Sequence, residues 1–251
     1  TYFEKLNNQS ARPPYVVNNL DYDNHGFKQS IIQWESEDLI TPDMWLPLEV
    51  SRGCAFNCAY CNYDRKSNTD SFKDPEVLYD ELIRNYELWG TTKYVLVDDL
   101  YNDSKSKVRI LHDRVWSRLP FKPQWVSYMR LDMIWADRES AEIMLASGAR
   151  GGSFGIETLN EKAGKKVGKG LGPARIIETL EFLKETWNDQ VMVEGLFIAG
   201  LPYEPIDSIE STIDWAIDTN LLHSYAFTPM WITPPLHKDL VLKTSTLSDQ
   251  Y

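Results

Sequence analysis

Short apolar runs alternate with helix-patterned segments along most of this 251-residue chain. That alternation constrains the fold more than any other feature. Runs at 46–51, 93–98, 124–129, 151–157, 191–200 and 224–230 read as strands. Segments at 74–90, 104–119, 137–148, 173–187 and 205–220 read as helices. In the first of these, Val77, Leu78, Leu82, Tyr86 and Trp89 keep helical spacing between an Asp-Pro start and a Gly90 stop. Strands separated by helices predict a parallel sheet in an α/β fold. Six such units fit either a doubly wound sheet or an incomplete (β/α) barrel. In both, ligands sit at the carboxyl ends of the strands. Residues 1–46 are polar and broken by Pro13, Pro14 and Pro42, and they read as an irregular lead-in with one short strand near Ile31 to Trp34.

The chain has three cysteines, all within "SRGCAFNCAYCNYDRKS", directly after the first strand. Cys54, Cys58 and Cys61 therefore lie at the ligand end of the sheet. Three local cysteines make no closed disulfide framework and point to a reducing, cytoplasmic compartment. A structural zinc site needs a fourth ligand, and His25, His112, His223 and His237 are scattered. A [4Fe–4S] cluster held by three thiolates keeps one iron open to a substrate or cofactor. The formal net charge of −11 does not support bulk nucleic-acid binding. No run of about 18 apolar residues is present, so no membrane span is expected. "GARGG" and "GKKVGKGLG" do not follow the GxxxxGK[ST] order and read as turns.

"CAFNCAYC" resembles the CxxxCxΦC signature of the radical S-adenosylmethionine (radical SAM) superfamily, and the resemblance extends over residues 46–232. "FGIETLNEKAGKKVGKG" and "GLFIAGLPYEP" look like later strand motifs of the branch that holds methylthiotransferases, coproporphyrinogen-oxidising enzymes and cobalamin-dependent members. The opening "LPLEVSRGC" and the second strand "VDDLYND" are most similar to poorly characterised members, some of them phage-borne. The resemblance implies a partial (β/α)6 TIM-type barrel of parallel strands. It divides the chain into a lead-in at 1–46, a core barrel at 47–232 and a tail at 233–251.

The same resemblance implies that Cys54, Cys58 and Cys61 hold a [4Fe–4S] cluster whose open iron is chelated by S-adenosylmethionine. An electron from the cluster would cleave that cofactor to methionine and a 5′-deoxyadenosyl radical, which takes hydrogen from a substrate. Asp98 and Asp99 stand where the family binds the cofactor amine, through side chains or backbone carbonyls. Lys169 is placed to meet the methionine carboxylate, with Arg130 as a second candidate. Glu157 would accept from the ribose hydroxyls. Tyr60, Ile198 and Phe227 would frame the adenine, and Leu201 lies in the turn after the fifth strand. Strand alternation offers Trp125, Ser127, Tyr128, Glu194 and Tyr225 as inward-facing residues.

The expected partners are a small-molecule or modified-nucleotide substrate and an electron donor such as flavodoxin or ferredoxin. A second cluster lacks thiolates here. A cobalamin domain would precede the barrel in a longer parent protein. The competing reading is a non-catalytic Fe–S scaffold or redox sensor. Six strands cannot close an eight-stranded barrel, so the lead-in and the segment after Met230 are expected to help cover a lateral gap.

Overall fold

The computed structural model describes residues 27–39, 41, 43–61 and 72–231. Its elements run β1 (Leu46–Leu48), α1 (Pro75–Trp89), β2 (Lys93–Leu96), α2 (Lys105–Arg114), β3 (Gln124–Met129), α3 (Leu131–Ala136), α4 (Glu139–Ala146), β4 (Ala149–Glu157), α5 (Glu161–Lys166), α6 (Pro173–Trp187), β5 (Met192–Ala199), α7 (Ile206–Thr219) and β6 (Ser224–Pro229). Most of the lead-in and, apart from Trp231, all of the segment after Met230 expected to cover the gap lie outside the described residues.

The six strands form one sheet in the order β1-β2-β3-β4-β5-β6, and every pair is parallel. This order decides between the two architectures. Each crossover advances one strand in the same direction. Right-handed crossovers then place every helix on one face. A doubly wound sheet needs a reversal of direction, and none occurs among the described strands. The chain is a partial (β/α)6 barrel.

The helix-facing side of the sheet carries the core. Tyr94, Trp125, Met129, Phe154, Ile156, Val193 and Phe197 are buried there. The two largest fully buried side chains satisfy their indole N–H groups: Trp125 donates to the Ser147 carbonyl (2.8 Å) and Trp187 to that of Ala141 (2.9 Å). Residues of opposite phase stand on the concave face. Among them Val97 and Tyr128 remain 53% exposed, so this face is open to a ligand.

Local signals act as the sequence suggests at α1. Asp74 caps it by accepting from the Glu76 N–H, Pro75 occupies the first turn, and Gly90 ends it in the left-handed region. The strand expected near Ile31 to Trp34 does not form. The Ile32 N–H donates instead to Glu81 Oε1 (3.1 Å), whose other oxygen accepts from the buried Lys73 ammonium (2.7 Å). Glu81, anchored by that ion pair, thus ties this part of the lead-in to α1.

Gly148, between α4 and β4, has φ of +99°, and a Cβ there would lie 2.2 Å from the Pro123 carbonyl oxygen. Both the backbone conformation and the close approach demand glycine. Gly148→Ala should cost more than about 1 kcal/mol, read as a lower denaturant midpoint. An unchanged midpoint would contradict this placement.

Candidate active site

The cysteine loop leaves β1 under tight control from β2. Asp98 Oδ1 accepts from the Val50 N–H (2.8 Å) and the Ser51 N–H (3.0 Å). Asp98 Oδ2 accepts from Ser51 Oγ (2.7 Å) and from Lys107 Nζ (3.2 Å). A carboxylate has about four acceptor positions, and these four bonds use them. Asp98 was expected to face the cofactor amine through its side chain or its backbone. The structure gives its side chain a different task, fixing the two residues that launch the cysteine loop. Lys107, reaching up from α2, also donates to Ser51 Oγ (2.6 Å) and to the Leu100 carbonyl (2.9 Å). Asp103 lies 3.7 Å from its ammonium. Asp99, the next residue, is half-buried.

The turn after β2 is stitched to the end of β3. The Tyr101 N–H donates to the Tyr128 carbonyl (3.0 Å). The Asn102 side chain donates to the Arg130 carbonyl and accepts from the Arg130 N–H, each at 2.9 Å. Arg130 is thereby held by its backbone, and its side chain is held as firmly. Nε and Nη2 fork onto the Asp132 carboxylate at 2.8 and 2.5 Å. Nη1 donates to Cys58 Sγ at 3.4 Å, and the guanidinium lies 3.8 Å from the centroid of the Phe56 ring. Burial opposes the charge, but Asp132 and the Cys58 thiol more than offset it and raise the Arg130 pKa. Arg130 was the second candidate for a ligand carboxylate. Its bidentate face is taken by Asp132.

On the other side of the loop, β4 ends at a bulge between Gly155 and Glu157. Glu157 has φ of +68°, uncommon for a residue with a side chain. The reversal turns its carboxylate back over Gly155, where a Cβ would meet Glu157 Oε1 at 2.5 Å. Tyr60 donates to Glu157 Oε1 (2.6 Å), and Lys169 Nζ lies 3.1 Å from the same oxygen. Lys169 also donates to the Gly155 carbonyl (2.8 Å). Burial, reinforced by the Glu157 charge, pushes the Tyr60 pKa far up, so the phenol keeps its proton and donates. Backbone strain of this kind persists where surrounding contacts enforce it, and it clusters at functional sites.

The segment carrying Lys169 docks on the cysteine loop. The Ala59 N–H donates to the Val167 carbonyl (3.0 Å). Gly168, with φ of +83°, brings its backbone close to that of Cys58. Beneath them Ala163, Val167 and Leu201 form a small buried core against which Ala59, Tyr60, Ile198 and Met230 pack. Leu201 is thus a packing residue of the turn at Gly200. A cleft between β3 and β4 is lined by Arg130, Asp132, Gly155, Lys169, Gly170 and Ile176, among others.

Strand phase corrects several expectations. Phe227 stacks on Phe197 at 4.7 Å between ring centroids, and Tyr225 meets Phe227 edge-on. Both therefore lie on the helix-facing side, away from the expected adenine slot. Trp125 and Ser127 share that side, since Trp125 packs on Tyr101 and Trp116. Tyr128 has the opposite, concave phase. Glu194 is concave too: Ser153 donates to its Oε2 at 2.5 Å, across a register that pairs the two residues.

Sequence reasoning missed Ser51, Asn102, Lys107 and Asp132. The available signals were polar side chains beside the cysteine loop and in "VDDLYND", and an acid two positions after Arg130.

The three cysteines are half-buried free thiols on one docked loop. Burial raises the Cys54 pKa; the neighbouring Cys58 and Cys61 add to this, while Arg130 opposes it. Among the described residues no three His, Cys, Asp or Glu side chains are placed to share one metal ion. A polynuclear cluster asks for something different, one thiolate per iron. An all-sulfur donor set at a strand's carboxyl end, with a cation on one sulfur, fits an iron–sulfur cluster.

The family model for the radical SAM superfamily matches residues 48–216. The chain belongs to this superfamily. Radical SAM membership implies S-adenosylmethionine and an iron–sulfur cluster as the cofactors. The chain is 24% identical over 194 residues to the anaerobic magnesium-protoporphyrin IX monomethyl ester cyclase of Cereibacter sphaeroides, which covers 76% of this chain and 31% of that protein. It is 25% identical over 223 residues to an uncharacterised methyltransferase of Pyrococcus horikoshii, covering 84% of this chain and 44% of that one. The chain therefore spans less than half of the length of these curated relatives.

Solved structures share the radical SAM fold at lower identity. The radical S-adenosylmethionine methyltransferase TsrM from Kitasatospora setae, solved with cobalamin and a [4Fe–4S] cluster, gives a TM-score of 0.58 at 16% identity, over 74% of this chain and 34% of that one. Coproporphyrinogen III oxidase from Escherichia coli, a radical SAM enzyme, gives 0.57 at 15% identity, over 76% and 44%. Among the described residues no helix is long and apolar enough to cross a membrane.

Proposed function

We propose that this chain is a radical SAM enzyme in which Cys54, Cys58 and Cys61 hold a [4Fe–4S] cluster with one open iron. The supporting observation is convergence: the cysteine loop, the Tyr60–Glu157–Lys169 group and the Arg130–Asp132 pair meet at one end of the barrel. When bound, the reduced cluster supplies the electron that splits S-adenosylmethionine into methionine and a 5′-deoxyadenosyl radical.

The chain's own residues bind and orient the cofactor. Lys169 donates to the Gly155 carbonyl and pairs with Glu157 Oε1, and its ammonium also serves the methionine carboxylate. Glu157 Oε1 is held by Tyr60 and Lys169, leaving Oε2 to accept from the ribose. Asp99 and the backbone of the turn after β2 receive the amine. Tyr60 and Ile198, packed on the same small core, bound the adenine. A small-molecule or modified-nucleotide substrate enters the concave face beside Tyr128 and Glu194, and a flavodoxin- or ferredoxin-like protein delivers the electron. The barrel core corresponds to residues 47–232, with 1–46 and 233–251 flanking it.

Because the chain spans under half of its relatives, a second reading makes it the catalytic part of a larger cobalamin-dependent methyltransferase. Cobalamin binding by this chain alone would not be expected on that reading.

The test is cofactor binding to the reconstituted protein. Adding S-adenosylmethionine should change the electron paramagnetic resonance spectrum of the reduced cluster. Lys169→Ala should keep the iron content and lose about ten- to hundred-fold in affinity, the worth of a charged hydrogen bond of roughly 1.5–3 kcal/mol. Affinity within a factor of two of wild type would remove Lys169 from the binding site.

A further inference from the structure

We infer that Arg130 sets the reduction potential of the cluster, acting through the Cys58 sulfur. This rests on the cluster assignment above and adds a role that assignment does not require. The guanidinium contacts three groups, and each fixes a different part of it. Asp132 takes Nε and Nη2. Phe56, between Cys54 and Cys58 in the loop, lies against its face. Nη1 is left to donate to Cys58 Sγ at 3.4 Å. The main chain of Arg130 is clamped on both sides by Asn102. A side chain held this way cannot swing to a second partner without breaking the fork.

Arg130 is 7% exposed, so its charge is weakly screened by solvent. A hydrogen bond donated to a thiolate ligand, with a positive charge behind it, stabilises the more negative, reduced state. Reduction potentials of such clusters respond to charge, to hydrogen bonds at the sulfurs and to exposure. Arg130 therefore makes the cluster easier to reduce. The step concerned is a one-electron reduction in which the titrant supplies the electron and no bond forms or breaks. Arginine suits the role because its planar guanidinium grips Asp132 bidentately while a further N–H reaches the sulfur, a fixed geometry that a lysine point charge does not reproduce.

The experiment is a redox titration of the reconstituted full chain, followed by electron paramagnetic resonance. Arg130→Met keeps the bulk and removes charge and donor. Its midpoint should fall by about tenfold in the one-electron equilibrium, ~59 mV. Arg130→Lys, which keeps the charge but loses the fork, should fall by less. A midpoint for Arg130→Met that equals the wild-type value would overturn the inference and reduce Arg130 to packing. If Arg130→Met takes up no cluster, Arg130→Lys and Arg130→Gln are titrated instead, and wild-type midpoints in both overturn it equally. A wild-type chain that takes up no cluster is a different result and strikes the cluster assignment itself.

Discussion

Cys58→Ala should abolish cluster binding, and so should Cys54→Ala or Cys61→Ala. The chain has no other cysteine to substitute. A three-thiolate cluster already leaves one iron without a protein ligand, so a further loss leaves two. The Cys58 variant also removes the acceptor of the Arg130 Nη1–H and leaves that donor unpaired in a buried site. Reconstituted wild type should carry ~4 irons and ~4 sulfides per chain, and each variant close to none. Far-ultraviolet circular dichroism should be unchanged, because the loop adds no strand or helix to the barrel. A variant that retains the wild-type iron content would remove that cysteine from the ligand set. Wild type that binds zinc stoichiometrically and no iron would end the cluster reading.

The second large effect is on Asp98. Asp98→Ala should destabilise the fold by about 3–5 kcal/mol, the cost of removing one partner of a buried ion pair. Lys107 would keep Asp103 at 3.7 Å and the Leu100 carbonyl, but the Val50 and Ser51 N–H groups would lose their acceptor. Each buried unsatisfied donor carries a further desolvation penalty. Because Ser51 opens the cysteine loop, iron uptake should fall together with stability. The double variant Asp98→Ala, Lys107→Met should be no more stable than Asp98→Ala alone, since it also takes the Lys107 ammonium away from the buried Asp103 carboxylate 3.7 Å from it. Urea unfolding of the three proteins measures this. A loss below about 1 kcal/mol for Asp98→Ala, with full iron content, would show that the network does not hold the loop.

The barrel was legible in the sequence because its evidence is local. Each strand is a short apolar run, and α1 carries its own start at Asp74–Pro75 and its own stop at Gly90. The short α5 was not legible. Asn160 caps it by accepting from the Ala163 N–H, but "EKAGKK" contains a glycine and no apolar period to mark a helix. The cysteine loop stood out as a candidate ligand set by residue type and spacing, and the resemblance of its motif supplied the expected cluster.

What escaped was long-range pairing and strand phase. Nothing in "VDDL" reveals that Lys107 turns back to consume Asp98, or that Ser51, 47 residues earlier, does the same. In "SYAFTP" the two aromatics, Tyr225 and Phe227, are two positions apart, so period two puts them on one face without saying which side it takes. Register with Phe197 settles that Phe227 faces the helices. Glu157 was singled out by sequence, yet its left-handed backbone and the bare Gly155 beneath it follow from the bulge, which no local pattern announces.

The central claim is that residues at the carboxyl end of this barrel support reductive cleavage of S-adenosylmethionine. The most direct measurement is anaerobic incubation of the reconstituted, reduced full chain with S-adenosylmethionine, with 5′-deoxyadenosine and methionine quantified together. The account predicts slow formation of both in equal amounts by wild type, and none by Cys58→Ala. Wild type that holds its cluster and binds S-adenosylmethionine, yet forms no 5′-deoxyadenosine above the Cys58→Ala background, would contradict it.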